Sequence, residues 1–267
     1  MKQRMALAML PCLIALLTSA SASAASHAEQ EPIFLSVACY KALPGKQGEF
    51  SDFLTGDARK LAEASVGQGQ LIAWSAGQTV IPLGEEADCN FTTARAYRGM
   101  PDTLQFFSDE AYTKTKIKRE DVQATVSSTA RMQNTRLWRA VGAIGEEPGE
   151  GDYYSVDLMR APDLGEWAEV ENRIWRPVHE ERTKSGPIAG WAAYALVMPR
   201  GADLPFNAAT VNVLKGLKSV GAPPGYNAVF EKVHPDVNRD WIFERTEGSR
   251  TIVQSVVVRV IARVAAE

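Results

Sequence analysis

Apolar and polar positions along this chain follow two periods, and the periods switch in the same order twice. Tyr153 to Arg160 alternates with period two, as a half-buried strand does, and Pro162 ends the alternation. Asp163 then stands where it can cap a helix whose Trp167, Val170, Ile174, Val178 and the stem of Arg182 recur at helical spacing. Gly186-Pro187 stops that helix, and strands are predicted from Ile188 to Met198 and from Ala208 to Leu214. A second helical stripe of Tyr226, Val229, Phe230 and Val233 is cut by Pro235, and a further turn carries Trp241 and Ile242 before Gly248. The valine- and isoleucine-rich stretch from Thr251 to Val264 closes the series as a strand. Pro177 is the awkward residue: it removes an interior hydrogen bond and predicts a kink near Arg173, at about 3 kcal/mol in an exposed helix.

The first half carries the same order of elements. Its first helix is predicted from about Lys46 to Val66, with Phe50, Phe53, Leu54 and Leu61 inward, and its second starts at Pro101 above Leu104, Phe107 and Ala111. Ser36 to Ala42 matches Ser155 to Ala161 at an offset of 119, and Leu71 to Trp74 matches Ile188 to Trp191 at 117. Thr93 to Met100 matches Thr210 to Leu217 at 117, and Arg131 matches Arg250 at 119. Four matches in one order indicate a duplicated unit, with the boundary in the Gly/Glu/Pro-rich stretch 145–151. The expected organisation is residues 1–24 as an export signal, 25–145 as one domain and 152–267 as the second. Each unit reads βαββαβ, the split βαβ arrangement. Lys41-Ala-Leu-Pro-Gly45 after the first strand is not a dinucleotide fingerprint, which excludes a Rossmann domain. A two-layer unit of this kind leaves one face of its sheet uncovered, and in a tandem repeat the two uncovered faces can close on each other. The fold class is therefore α+β: two tandem ferredoxin-like domains whose antiparallel sheets pack face to face as an intramolecular α/β barrel with a lumen.

The start of the chain changes the picture of location. Lys2 and Arg4 precede a 13-residue apolar run from Met5 to Leu17, and small residues lead to a cleavage position after Ala24. An uncleaved anchor is the alternative, but so short a run with Pro11 in it does not span about 30 Å of hydrocarbon. A periplasmic or secreted protein with no membrane association after cleavage is expected. The 29 basic and 32 acidic residues give −3, or −5 once Lys2 and Arg4 are removed, so nucleic acid is not an expected partner. Of the three cysteines, Cys39 and Cys89 remain after cleavage, an even pair in an oxidising compartment. The histidines show no HxxH, HxH or HExxH spacing, so no metal site is expected, and no GxSxG elbow or glycosidase-like carboxylate pair is present.

The βαββαβ halves, with Trp175-Arg-Pro-Val-His-Glu-Glu-Arg-Thr-Lys-Ser-Gly186, Gly190-Trp191 and Thr210-Val-Asn212, resemble the dimeric α/β-barrel superfamily, in particular its exported bacterial members of uncharacterised function. More distant members of that superfamily include cofactor-free monooxygenases, an isomerase and haem enzymes, so the resemblance implies a fold and not a reaction. In this fold the first and third strands are antiparallel neighbours. Cys39 then lies near Cys89, as a disulfide or as two buried thiols.

Alternation assigns Tyr153, Ser155, Asp157 and Met159 to the lumen, with Tyr154, Val156 and Leu158 towards the helices. The equivalent rows are Phe34, Ser36, Ala38 and Tyr40, then Thr93, Arg95 and Tyr97, then Thr210, Asn212 and Leu214. Asp157 and Arg95 in one cavity imply a mutual ion pair, a wet edge or a polar ligand. His179 is the candidate base, with Arg95 or Asn212 stabilising oxyanion charge; the plain alternative is a histidine on the helix surface. Tyr153, Asp157, Trp175, Trp191 and Tyr194 would shape the substrate site. The expected function is binding, and in an enzyme oxygenation or isomerisation without a cofactor, of a small organic molecule between the sheets. The competing classes are a non-catalytic structural or partner-binding protein and, more distantly, a haem protein using His179 or His234. A monomer or homodimer is expected.

Overall fold

The computed structural model describes residues 31–82, 87–221 and 226–266, so the export segment 1–24 lies outside the described residues. From Glu31 onward the chain forms one compact unit. The first half runs β1 (Ile33–Ala42), α1 (Gln47–Phe53), a π-helical turn (Leu54–Ala58), α2 (Arg59–Gly67), β2 (Ala73–Ile81), β3 (Phe91–Arg98), α3 (Asp109–Thr115), α4 (Arg119–Thr129) and β4 (Ala130–Gly145). The second runs β5 (Tyr153–Arg160), α5 (Leu164–Val170), a π-helical turn (Glu171–Trp175), α6 (Arg176–Ser185), β6 (Ile188–Met198), β7 (Ala208–Leu214), a 3₁₀ turn (Leu217–Gly221), α7 (Tyr226–Val233), α8 (Arg239–Ser249) and β8 (Thr251–Ala265). Among the described residues no helix is long and apolar enough to cross a membrane.

The strands close into one barrel in the order β1-β3-β2-β8-β5-β7-β6-β4, with every neighbouring pair antiparallel. Each half contributes four adjacent strands in the split βαβ order. Two seams, β2–β8 and β4–β6, join the halves edge to edge. Closure pairs the edges that each sheet would otherwise expose.

Closure also fixes which side chains face inward, and here the strand rows expected in the lumen are reversed. Leu35, Val37, Val156, Leu158 and Tyr194 pack in the interior with Trp138, Leu196 and Phe206, whose rings Trp138 and Phe206 stack at 6.1 Å. Tyr154 points the same way, because a Cβ at Gly77 would meet its hydroxyl. Tyr153, Ser155, Asp157 and Met159 therefore face the helices, as do Phe34, Ser36, Ala38 and Tyr40, the row Thr93, Arg95 and Tyr97, and the row Thr210, Asn212 and Leu214. The physical reason is that the interior is walled on all sides by sheet, so the most uniformly aliphatic rows go there. The helix layer, in contrast, supplies hydrogen-bond partners for polar side chains.

Two helical expectations are also corrected. Residues 101–108 are irregular and α3 begins only after Ser108, whose hydroxyl accepts from the Ala111 N–H at 3.1 Å. Buried Arg95 takes the carbonyls of Leu104, Gln105 and Phe106, which a helix from Pro101 would have used for itself. Pro177 is absorbed without a sharp break, because the π turn Glu171–Trp175 directly precedes it and has already displaced the regular hydrogen-bond ladder. The first half carries the same turn, Leu54–Ala58, an offset of 117 away with Lys60 in the place of the proline, so the turn belongs to the repeat.

Cys39 and Cys89 are joined by a disulfide with their Cα atoms 5.3 Å apart. It ties the end of β1 to the loop before β3 across 50 residues, the kind of constraint that restricts the unfolded chain. The β4–β6 seam depends on a close backbone approach: a Cβ on Gly190 would sit 2.0 Å from the Glu146 carbonyl oxygen. Gly190→Ala should lower the unfolding free energy by about 1–3 kcal/mol in urea titrations, whereas Gly56→Ala, with open space around it, should not destabilise. Equal stability of the two variants would contradict this account of the seam.

Candidate functional site

The helix–sheet interface of the second half is where buried polar chemistry collects. Asp163 caps α5 by accepting from the N–H groups of Gly165 and Glu166 at 2.7 and 2.9 Å. The π turn then sets the phase of α6, so that Glu171, Trp175, His179 and Arg182 all end up buried against the sheet. Below them lie Ser155 and Asp157 of β5, Asn212 of β7 and Trp191 of β6. Tyr226, Thr246 and Arg250, from α7, α8 and the residue after α8, close the side.

His179 lies between two indoles: its ring stacks on Trp191 at 5.1 Å and stands 5.9 Å from Trp175. Its Nδ1 is 3.1 Å from Nη1 of Arg182, which also donates to the Tyr226 hydroxyl at 3.1 Å. A guanidinium has only donors, so Nδ1 accepts and the proton of the neutral imidazole sits on Nε2. Burial first, then the Arg182 and Arg250 guanidiniums, push this histidine down to about 3. His179 is therefore a neutral hydrogen-bond donor through Nε2, and not a base poised near neutrality.

Arg182 is only 7% exposed, has no carboxylate partner among the described residues, and leaves its Nε without a hydrogen-bond partner. The buried Oδ1 of Asn212 and Nε1 of Trp191 are likewise unpartnered, while Nδ2 of Asn212 reaches Ser155 Oγ at 3.5 Å. Arg250 pairs with Glu171 at 3.2 Å, lies 5.4 Å from the centre of the Trp175 ring, and leaves the Trp175 indole to donate to Thr246 at 3.0 Å. Glu171 is 1% exposed, and burial pushes its carboxyl up to about 7 against the pull of Arg250 and the Trp167 N–H. Asp157 accepts from Ser255 at the more open edge.

The expected site residues are thus divided. His179, Trp175, Trp191, Asn212, Asp157 and Tyr153 share one helix–sheet face. Tyr194 is in the barrel interior, where burial pushes its hydroxyl up to about 12. Arg95 lies on β3, opposite β7 in the barrel order, and bonds to Ser36 at 3.0 Å and to the 104–106 carbonyls. It cannot serve a site that contains Asn212 and His179, and no Asp157–Arg95 ion pair forms. The site therefore sits outside the space between the sheets. Sequence reasoning did not select Arg182, Arg250, Glu171 or Tyr226, although the Arg131–Arg250 match and the spacing of Glu171, Trp175, His179 and Arg182 were signals for three of them.

The residues do not fit haem, the distant alternative of the sequence analysis, through His179. An iron ligand needs a nitrogen lone pair facing the metal, and Arg182 occupies Nδ1 while Nε2 bears the proton. His234 directs Nε2 to the Ile174 carbonyl at 3.0 Å and stands beside Phe230, away from the Asn212 face. Among the described residues no three His, Cys, Asp or Glu side chains converge as a metal site would require.

The fold and site define a tandem ferredoxin-like barrel protein with one polar helix–sheet interface. No protein-family model and no curated protein sequence matches the chain. Solved structures do share the architecture. A "putative monooxygenase" from Lactobacillus acidophilus aligns over 89% of this chain and 100% of its own at 10% identity and a TM-score of 0.51. A "putative monooxygenase" from Fusobacterium nucleatum aligns over 88% and 94% at 12% identity and a TM-score of 0.53. An anthrone oxidase-like protein aligns over 89% and 94% at 12% identity and a TM-score of 0.51. At such identities the likeness is one of fold.

Glu171 and His179 make opposite demands on pH. Between about 4.5 and 6.5 the unfolded chain protonates its histidine while the folded one does not, and the folded chain keeps a Glu171 proton that the unfolded one releases. The two contributions cancel in that window. Glu171→Gln leaves the histidine alone, so its stability should fall, relative to the parent, as pH drops from about 6.5. His179→Gln leaves the carboxyl alone, so its stability should fall as pH rises from 4.5 to about 7, with slopes near 1.4 kcal/mol per pH unit. Urea midpoints measured across this range decide it; parallel profiles for both variants would refute the assignment.

Proposed function

We propose that this protein binds a small organic anion at the helix–sheet interface of its second half, acting as a binding protein and not through acid–base catalysis at His179. The observation that carries the reading is Arg182, a buried cation without a counter-charge among the described residues. A buried guanidinium in that state is costly, and a carboxylate or phenolate would relieve it. The Nε of Arg182 and Nε1 of Trp191 supply unused donors, and Oδ1 of Asn212 an unused acceptor. The aromatic wall of Trp175, His179 and Trp191 favours a ligand with a flat apolar body.

The half-repeats support the same reading by contrast. Arg95 stands where the second half has Asn212, and in the first half it fills the interface and bonds to the chain's own carbonyls. In the second half the shorter Asn212 takes that position and keeps its Oδ1 unpartnered. We place the protein outside the cytoplasm, a reading supported by the N-terminal pattern and by the Cys39–Cys89 disulfide.

Benzoate is a suitable probe, because Trp175 and Trp191 report on the site by fluorescence. Saturable quenching is expected for the parent chain, weakened at least about tenfold in Arg182→Met, whose apolar stem keeps the volume, and partly restored in Arg182→Lys. Absence of saturable binding, or equal binding by the Arg182→Met chain, would overturn the proposal.

A further inference from the structure

The two seams of the barrel are treated differently by the charges around them. At β2–β8 two basic side chains are neutralised from within: Arg59 of α2 pairs with Glu150 at 3.0 Å, and Arg263 of β8 pairs with Glu147, both acids belonging to the connection between the halves. That connection is also sewn to the seam by the backbone, through Gly151 and Asp152 to Val260.

At β4–β6 no carboxylate among the described residues plays that part. A groove of 570 Å³ lies where β1, β4 and β6 meet the start of α5, within the size range of small-molecule sites. Phe34, Val141, Leu164, Ala195 and Leu196 form its apolar wall, and Arg139 and Arg200 stand over it. None of its lining residues is acidic. Among the described residues the Arg139 side chain has no hydrogen bond or ion pair, and that of Arg200 donates only its Nε, to the Val197 carbonyl at 3.1 Å. In a chain of net charge −3, two arginines over one apolar groove without a carboxylate between them are a specific arrangement.

From this we infer that the β4–β6 groove is a second binding site, separate from the Arg182 interface, for a monocarboxylate with an apolar tail. The tail occupies the wall of Phe34, Val141 and Leu164, and the carboxylate lies between Arg139 and Arg200, which can each offer it a bidentate fork. The opposite seam supplies the precedent within the molecule, since there the partners of the arginines are carboxylates.

Octanoate is the probe, with octan-1-ol as its uncharged counterpart, in isothermal titration of the full chain. One octanoate per groove is expected, at least tenfold tighter than octan-1-ol, and at least tenfold weakened in the Arg139→Gln/Arg200→Gln chain. Both substitutions are on exposed side chains, and an unchanged thermal melt verifies the fold. Binding should persist in Arg182→Met. No binding to the parent chain, equal binding by the double variant, or octan-1-ol as tight as octanoate would each overturn the inference. Loss in Arg182→Met alone would overturn it too, by assigning the acid to the other interface and leaving that proposal standing.

Discussion

The constraint on which this structure depends is edge pairing at two seams. Once β2 meets β8 and β4 meets β6, each sheet lies between a helix layer and a shared interior, and the polar content of its strands has only one covered face on which to find partners. Interior positions fall to Leu35, Val37, Val156 and Leu158, and Ser36, Thr93, Arg95, Ser155, Asp157, Thr210 and Asn212 lie on the helix side. Location of the chemistry follows from topology before any particular ligand is considered.

Duplication then provides two copies of that helix–sheet interface, and the copies have been used differently. In the first, Arg95 spends its donors on Ser36 and on three successive carbonyls, while Tyr40, Phe50, Phe91 and Trp74 fill the remaining volume. Such an interface is a core. In the second, the equivalent strand position holds Asn212, and the cation comes instead from the helix as Arg182. Both guanidiniums are buried with an unpartnered Nε; Arg95 directs its other nitrogens to a serine and three carbonyls, Arg182 to a histidine nitrogen and a phenol. The proposed anion site rests on this difference in what surrounds the two guanidiniums.

The repeat, the element order and the bounds of β5, β6 and β7 were legible in the sequence, because period-two and helical patterns and their offsets of 117 to 119 survive in both halves. Facing direction was not. Tyr154, Val156 and Leu158 form the more apolar row, and for a two-layer sheet the apolar row faces the helices; closure into a barrel inverts that rule, since its interior is the drier side. A helix at Pro101 failed for a non-local reason, the competition of Arg95 for carbonyls from β3. His179 was legible as a histidine able to work near neutral pH, with Trp175 one helical turn before it, whereas Arg250 and Tyr226 reach them only through the packing of α7 and α8.

Electrostatics explains why the second interface tolerates so many buried groups. The Arg250–Glu171 contact on its own joins a cation to a carboxyl that burial has driven towards neutrality. With Glu171 pushed up to about 7, the pair is less than fully compensated, and Arg182 adds a second cation nearby, which lowers His179 further after the larger effect of burial. Asp157, at the open edge, accepts a hydrogen bond from Ser255. The balance of the interface is therefore positive, and a ligand that carries a negative charge restores it. A neutral ligand would leave Arg182 as it is, and a cationic one would add to the imbalance.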